Sequence, residues 1–424
     1  MLVILRKAWY SNFIRGSMFF TIASFVVNIL NYLFNFLAAQ GLGPKMYSEI
    51  TSLFSYISIF AVPMVVFSNF LIQKLSARGR GKFIIAKSLE DFFWLKIKKW
   101  SFALICILLL TPFISRITNL SMVTGAALLP MIFLFLFGSF YNSMFQGLHM
   151  LFIFGLISIF AVSLKFSGAL LVYLGFDGMQ TIILFLLISS IVPLLLSILI
   201  LRSYFSKTIV GKVPKIEKKI FSIIKDSQFI IIFLSTLALT LLNNVDIVFV
   251  KKVFSAHDAG IYSSWSLFAK MIFYAVGPLI AIGFIFFSSR EHQKHHDITL
   301  RISLLMLFAV TIISYTLYSN FGDFLVTIFF GSKFVEVLPY LSKASLFGSF
   351  FTGISFMSYY FVAKKSYYGL ILPLLIPFYV VSLFFIKKEL SNIMDVNILF
   401  SLVVAVIYVG VYLKDSLDSN SKSS

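Results

Sequence analysis

Apolar runs of 18 or more residues recur along this chain from one end to the other, and each is long enough to cross a bilayer as a helix. That constraint outweighs every other. Lipid offers the backbone no hydrogen-bond partners, so each run must satisfy its own N–H and C=O groups, and an all-α membrane fold follows. Composition agrees: the 424 residues are 60% hydrophobic and 12% charged, where a soluble globular chain is about one quarter charged.

The runs predict about twelve spans, at roughly 17–39, 48–73, 98–117, 122–148, 150–174, 179–201, 227–250, 260–288, 301–320, 337–362, 367–386 and 394–413. Connections are short except for 74–99 and 202–225. The first apolar stretch, MLVILRKAWYSNFIRG onward, lacks a small-residue cleavage site and is read as a retained span. Lys and Arg total 35 against 16 Asp and Glu. In a soluble protein that excess would point to nucleic acid; here it sorts by side of the membrane. With the N-terminus inside, 25 of the cations fall on the inner side and seven on the outer, while Lys165, Lys270 and Lys343 lie within spans. The positive-inside rule therefore predicts an N-in, C-in protein with no nucleic-acid partner.

The basic connection KLSARGRGKFIIAKSLEDFFWLKIKK mixes cations with Phe, Ile and Trp. It reads as a topogenic cytoplasmic loop or as an amphipathic segment on the anionic inner leaflet. Cys106 stands alone in an apolar run, so no disulfide within the chain is expected. His292, His295 and His296 have no acidic cluster or Cys nearby, and a solvated loop is expected there, not a metal site. The tail DSLDSNSKSS is predicted to be disordered.

The chain also repeats itself. An offset of 215 pairs Thr21 with Thr236, Asn28 with Asn243, Asn31 with Asp246, Tyr47 with Tyr262, Ser48 with Ser263 and Pro63 with Pro278. An even number of spans per copy keeps both copies in the same orientation. The expected architecture is two six-helix parallel repeats around a central cavity. They comprise a lobe at 1–205, a basic cytoplasmic linker at 206–226, a lobe at 227–413 and a cytoplasmic tail at 414–424.

Polar residues inside the spans mark the candidate site. Asp246 sits in the apolar run of the seventh span, where a carboxylate costs about 2.5–3.5 kcal/mol on insertion scales and faces a bundle interior or a wet cavity. Thr21, Ser24, Asn28, Asn31 and Asn35 are spaced three or four apart and share one helix face. Thr236 and Asn243 join Asp246 on the corresponding face, and Tyr262, Ser266, Lys270 and Tyr274 follow at intervals of four. Such stripes serve equally as interhelical hydrogen-bond glue. Lys343 and Glu336 stand one heptad apart, and pairing or snorkelling accounts for them. Lys165 and Lys270 lie mid-span, where snorkelling is difficult, and predict a water-filled cavity. A lumen richer in ammonium than carboxylate suits an anionic cargo such as a phosphate or pyrophosphate headgroup. Asp246 would balance a lysine or take a coupling H⁺ or Na⁺. No Walker motif, zinc spacing or nucleophile constellation is present.

The first-to-second-span pattern, Asn28, Asn31, Gly41-Leu42-Gly43-Pro44, Tyr47-Ser48 and Pro63, has a second copy in Asn243, Asp246, Gly260-Ile261-Tyr262-Ser263 and Pro278. It resembles the polysaccharide-export branch of the multidrug/oligosaccharidyl-lipid/polysaccharide exporter superfamily, within it the O-antigen or capsule repeat-unit flippases. Phe145-Gln146-Gly147 and Leu174-Gly175-Phe176-Asp177-Gly178 are similar to the same family. The resemblance implies two lobes around a V-shaped cavity and alternating access. It implies as cargo an undecaprenyl-pyrophosphate-linked oligosaccharide, moved to the outer leaflet of a bacterial inner membrane. Expected site residues are Lys165, Lys270, Lys343, Asn28, Asn31 and Asn243 along the lumen, with Asp246 for coupling or charge balance and no metal. No cofactor is expected, H⁺ or Na⁺ coupling stays open, and membrane lipids, a polysaccharide polymerase and a chain-length regulator are the further partners. Two alternatives stand beside this: a cation-coupled multidrug antiporter of the same superfamily, and a membrane O-antigen polymerase or ligase. The drug-exporting branch often carries an Asp in its first span where this chain has Asn28 and Asn31, and a polymerase or ligase typically bears a large periplasmic loop.

Overall fold

A computed structural model describes residues 12–76, 81–209, 227–288 and 296–421, and all its regular structure is helical. The helices are α1 (Asn12–Ser76), α2 (Lys82–Leu109), α3 (Thr111–Thr118), α4 (Met122–Gly147), α5 (Leu151–Tyr173), α6 (Gly178–Thr208), α7 (Ser227–Val253), α8 (Ala256–Ser288), α9 (His296–Asn320), α10 (Gly322–Phe329), α11 (Leu341–Ala363), α12 (Ile371–Phe385) and α13 (Leu390–Ser421), with short 3₁₀ turns at Ser332–Tyr340 and Tyr367–Leu370.

Nine helices among the described residues are long and apolar enough to cross a membrane, or ten if α2 and α3, bent by 49°, form one broken span. The chain is a multi-pass membrane protein. The count differs from the expected twelve partly because the first two spans run together, Met18–Ser76 being a single stretch of 59 residues. About 20 residues suffice to cross the hydrocarbon core. The helix breaks at Gly43, where φ is 67° and ψ 174°, a conformation that residues with a Cβ rarely reach. The basic connection is not a loop where it is described: from Lys82 it is the first part of α2. The helix α13 runs on through Ser421, past Lys414 where the sequence predicts disorder. His292, His295 and most of the linker, 210–226, lie outside the described residues.

The chain forms two compact units, Met1–Leu42 with Phe60–Ile223, and Gly43–Ile59 with Ile224–Ser424. The lobes expected from sequence run straight through 1–205 and 227–413; in the structure the stretch Gly43–Ile59 packs with the second unit. The first unit has a core of Leu71, Leu75, Leu89, Phe140, Tyr141, Met144, Phe145, Leu201 and Phe205. Fully burying one such side chain contributes about 1.5–3 kcal/mol in water, whereas in lipid close packing carries more of the stabilisation.

In the second unit α8 and α11 pack along their length. Small residues allow this: Ala344, Ser345, Gly348, Thr352 and Ser355 of α11 are all buried. A Cβ placed on Gly348 would lie 2.3 Å from the Ala269 carbonyl oxygen, so the two backbones meet directly there. Trp265 of α8 closes the same interface, its Nε1 donating to the Tyr340 carbonyl at 3.0 Å and its ring stacked 5.5 Å from Phe347.

Candidate functional site

Each unit seats one mid-span lysine on an asparagine. In the first, Lys165 Nζ on α5 donates to Asn31 Oδ1 on α1 at 3.0 Å and lies 4.2 Å from the centroid of the Phe34 ring. A desolvated cation over an aromatic face gains about 2 kcal/mol. Phe34 itself is 1% exposed, so the ammonium is held by a fixed floor. The asparagine stripe of α1 is partly spent on its own helix. Asn31 Nδ2 donates to Val27 O at 3.0 Å and Asn35 Nδ2 to Asn31 O at 2.8 Å. The donations leave the Asn31 side-chain oxygen, Oδ1, to face Lys165. Asn28, predicted for the lumen, is exposed.

In the second unit Lys270 Nζ on α8 donates at 3.3 Å to Asn244 Oδ1 on α7. The sequence reading chose the neighbour, Asn243, because the repeat pairs it with Asn28. The structure turns Asn243 elsewhere, its Oδ1 buried without a hydrogen-bond partner among the described residues.

Asp246 is fully buried at the centre of a polar network. Its Oδ2 accepts from Tyr262 OH at 2.6 Å and from Asn397 Nδ2 at 2.9 Å. Asn397 Nδ2 also lies 2.6 Å from Tyr262 OH, and Tyr379 OH donates to Asn397 Oδ1 at 2.7 Å. Four helices, α7, α8, α12 and α13, thus converge on one carboxylate. Its second oxygen, Oδ1, is buried with no hydrogen-bond partner among the described residues, and no salt bridge joins it to Lys270. Hydrogen bonds to a charged group contribute about 1.5–3 kcal/mol each, and an unsatisfied buried acceptor costs about as much.

Lys343 does not join this set. It pairs with Asp395 at 2.6 Å and donates to Ser391 Oγ at 2.9 Å, while its expected partner Glu336 meets His257 at 3.0 Å. Lys343 opens α11, next to Pro339 and Tyr340, where Asp395 on α13 is 53% exposed. A half-exposed pair of this kind is structural first.

The sequence reading missed Asn244, Asn397 and Tyr379. Asn397 carried a usable signal, being a lone amide in the last apolar run, DVNILFSL. It also missed a buried ion pair in the second unit. Lys251 Nζ donates to Glu49 Oε1 at 2.7 Å and to Ser48 Oγ at 3.0 Å, although the sequence places Lys251 in a short connection and Glu49 at the start of the second span. No group of three or more His, Cys, Asp or Glu able to hold a metal ion occurs among the described residues.

No protein-family model and no curated protein matches the sequence. Solved structures do. An inward-facing conformation of a multidrug resistance MATE family transporter of the MOP superfamily superposes with a TM-score of 0.71 at 13% identity, covering 93% of this chain and 96% of that one. An outward-facing conformation of such a transporter gives 0.65 at 14% identity over 97% and 96%. The lipid II flippase MurJ, in an inward closed conformation, gives 0.67 at 15% identity over 94% and 87%. At such identities the likeness is one of fold, and this chain has the all-α, multi-span fold of the MATE and MOP transporters.

Proposed function

We propose that this protein is an alternating-access membrane transporter whose cargo carries an anionic headgroup, and that it flips an undecaprenyl-pyrophosphate-linked oligosaccharide from the inner to the outer leaflet of a bacterial inner membrane. One observation carries the cargo reading. Each unit holds an ammonium group deep in a span, Lys165 on Asn31 and Lys270 on Asn244. Phosphate oxygens are strong acceptors for such groups. In this reading the excess of basic residues on one side sets an N-in, C-in topology of twelve crossings.

Coupling falls to Asp246. Its unpartnered Oδ1 and that of Asn243 are buried oxygens, the ligand type that a proton or a hard cation takes.

A cation-coupled multidrug antiporter is the second reading, and the structural comparisons favour it. The similar structures include multidrug transporters in two conformations, one with the higher TM-score of 0.71 against 0.67 for the flippase. Lys165 and Lys270 are what supports the first reading against it, since a cationic drug is repelled by them. Deletion of the gene in its host, followed by surface-polysaccharide analysis and lipid extraction, separates the readings. Loss of polymer with lipid-linked single repeat units retained on the cytoplasmic face is the expected result. Unchanged polysaccharide with new sensitivity to cationic dyes would establish the antiporter. Single units reaching the outer leaflet unpolymerised would point to a polymerase.

A further inference from the structure

We propose that the middle of α2 is a binding surface for anionic phospholipids of the cytoplasmic leaflet, with Lys96, Lys98 and Lys99 as the headgroup contacts and Trp100 as the interfacial anchor. At 28 residues, α2 is about 42 Å long at the α-helical rise. The hydrocarbon core is about 30 Å thick, so the helix extends past it into the headgroup region. Its apolar end is identified by Phe102, 78% exposed, and Leu109, 69% exposed. The lysines lie immediately before that end, where a lipid-facing helix meets the headgroups.

Charge bookkeeping within the helix singles out these three. The two acids of α2, Glu90 and Asp91, are already taken. Lys87 reaches Glu90 Oε2 and Asp91 Oδ1, both at 2.9 Å. Arg202 Nε reaches Glu90 Oε1 at 3.1 Å, and Tyr141 OH donates to the same oxygen at 3.1 Å. Glu90 is fully buried and Trp94 Nε1 is fixed on Tyr141 OH at 2.9 Å, so the inward face of the helix is locked. Lys96, Lys98 and Lys99 are exposed, and among the described residues no carboxylate lies within salt-bridge distance of any of them. None of the described carboxylates supplies their counter-charge.

The surrounding residues identify the anion as a lipid. Leu95, Lys98, Lys99 and Phe102 share one face at helical spacing, with Leu95 66% and Phe102 78% exposed. Lysines set between exposed apolar side chains fit a phosphate at an oil–water boundary, not a soluble anion. Trp100, 59% exposed, is of the residue type that concentrates at that boundary. Clusters of cations immediately cytoplasmic of a span attract anionic lipid.

The test is independent of the cargo. The full chain is reconstituted in vesicles containing brominated phosphatidylglycerol or brominated phosphatidylcholine at equal mole fraction. Trp100 quenching is taken as the difference between wild type and W100F. Expected is stronger quenching by the anionic lipid, with an apparent preference of at least about fivefold, the value of one lysine near a charged surface. The preference should fall toward one in K96Q/K98Q/K99Q, and in wild type at 1 M salt, where surface charges are screened. The salt arm decides the matter if the triple variant does not fold. Equal quenching by the two lipids in wild type, or a preference indifferent to both salt and the substitutions, would overturn the proposal and assign the lysines to a soluble acidic partner.

Discussion

Glu49 and Lys251, 202 positions apart in sequence, form a buried ion pair with Oε1 and Nζ at 2.7 Å. Lys251 is 3% exposed, and Ser48 Oγ takes a second of its protons. Next to it Thr51 and Ser263 hydroxyls meet at 2.7 Å. These contacts attach Gly43–Ile59 to the second unit. Removing one partner of a buried pair leaves an uncompensated charge, which costs about 3–5 kcal/mol. Glu49→Leu and Lys251→Met are each expected to lower the thermal unfolding midpoint in detergent markedly. The double substitution Glu49→Leu/Lys251→Met should lose less than the sum of the two, because no charge is left stranded. Additive losses in that double-mutant cycle would show that the two residues do not interact.

The contact between α8 and α11 makes a sharper steric prediction. Gly348→Ala would drive a methyl group to 2.3 Å from the Ala269 carbonyl oxygen, a backbone atom that a side-chain rotation cannot clear. Overpacking of this kind costs about 1–3 kcal/mol, occasionally more. Gly353, on the same helix, has nothing within 4 Å of its added Cβ. There the substitution to Ala gains helix propensity, about 0.8–1.0 kcal/mol in an exposed helix. Unfolding midpoints moving in opposite directions check both; a fall at Gly353 equal to that at Gly348 would refute the packing account.

How much of this was legible beforehand depends on the range of the forces involved. The helices were readable because burial in lipid acts locally on each run. The break at Gly43 was visible as Gly41-Leu42-Gly43-Pro44, but not that helix continues through both flanks. Lys165 and Lys270 stood out because a charge mid-span is costly wherever it packs. Their partners did not. Asn243 and Asn244 are adjacent in sequence, and only the rotation of α7 against α8 decides which one meets Lys270. The Glu49–Lys251 pair was hidden for a similar reason, since both residues sit near predicted span ends where charge is ordinary. Its meaning comes from the tertiary packing of Gly43–Ile59, which no local pattern encodes.

The network around Asp246 predicts a graded series. Tyr262→Phe and Asn397→Leu each remove a donor to Oδ2, and each is expected to destabilise by about 1–3 kcal/mol, the cost of losing a hydrogen bond to a buried charged group. Asn397→Asp should be worse than Asn397→Leu, because it sets a second carboxylate 2.9 Å from the first. Asp246→Leu should relieve the strain of the unpartnered Oδ1 and insert more readily. Thermal unfolding across the four variants tests the order. If Asn397→Asp is as stable as wild type, the two groups share a proton and Asp246 is not held as a lone carboxylate.

The two lysines give the prediction closest to function. Lys165 and Lys270 each present an ammonium group that one asparagine carbonyl orients. Replacement by Met keeps the length and apolar stem while deleting the charge, and removing a cation from a span eases insertion. Lys165→Met and Lys270→Met should therefore reach the membrane at wild-type levels while export of the anionic cargo falls by at least about tenfold, the loss of one charge-assisted contact of about 1.5–3 kcal/mol. Lys→Arg at either position should recover only part of the loss, since a guanidinium fork does not fit a site shaped for a point charge. Surface polysaccharide in a deletion host complemented at native expression is the measurement. Normal polymer from both Met variants would show that the ammonium groups serve packing alone, and would shift the cargo toward the cationic drugs of the second reading.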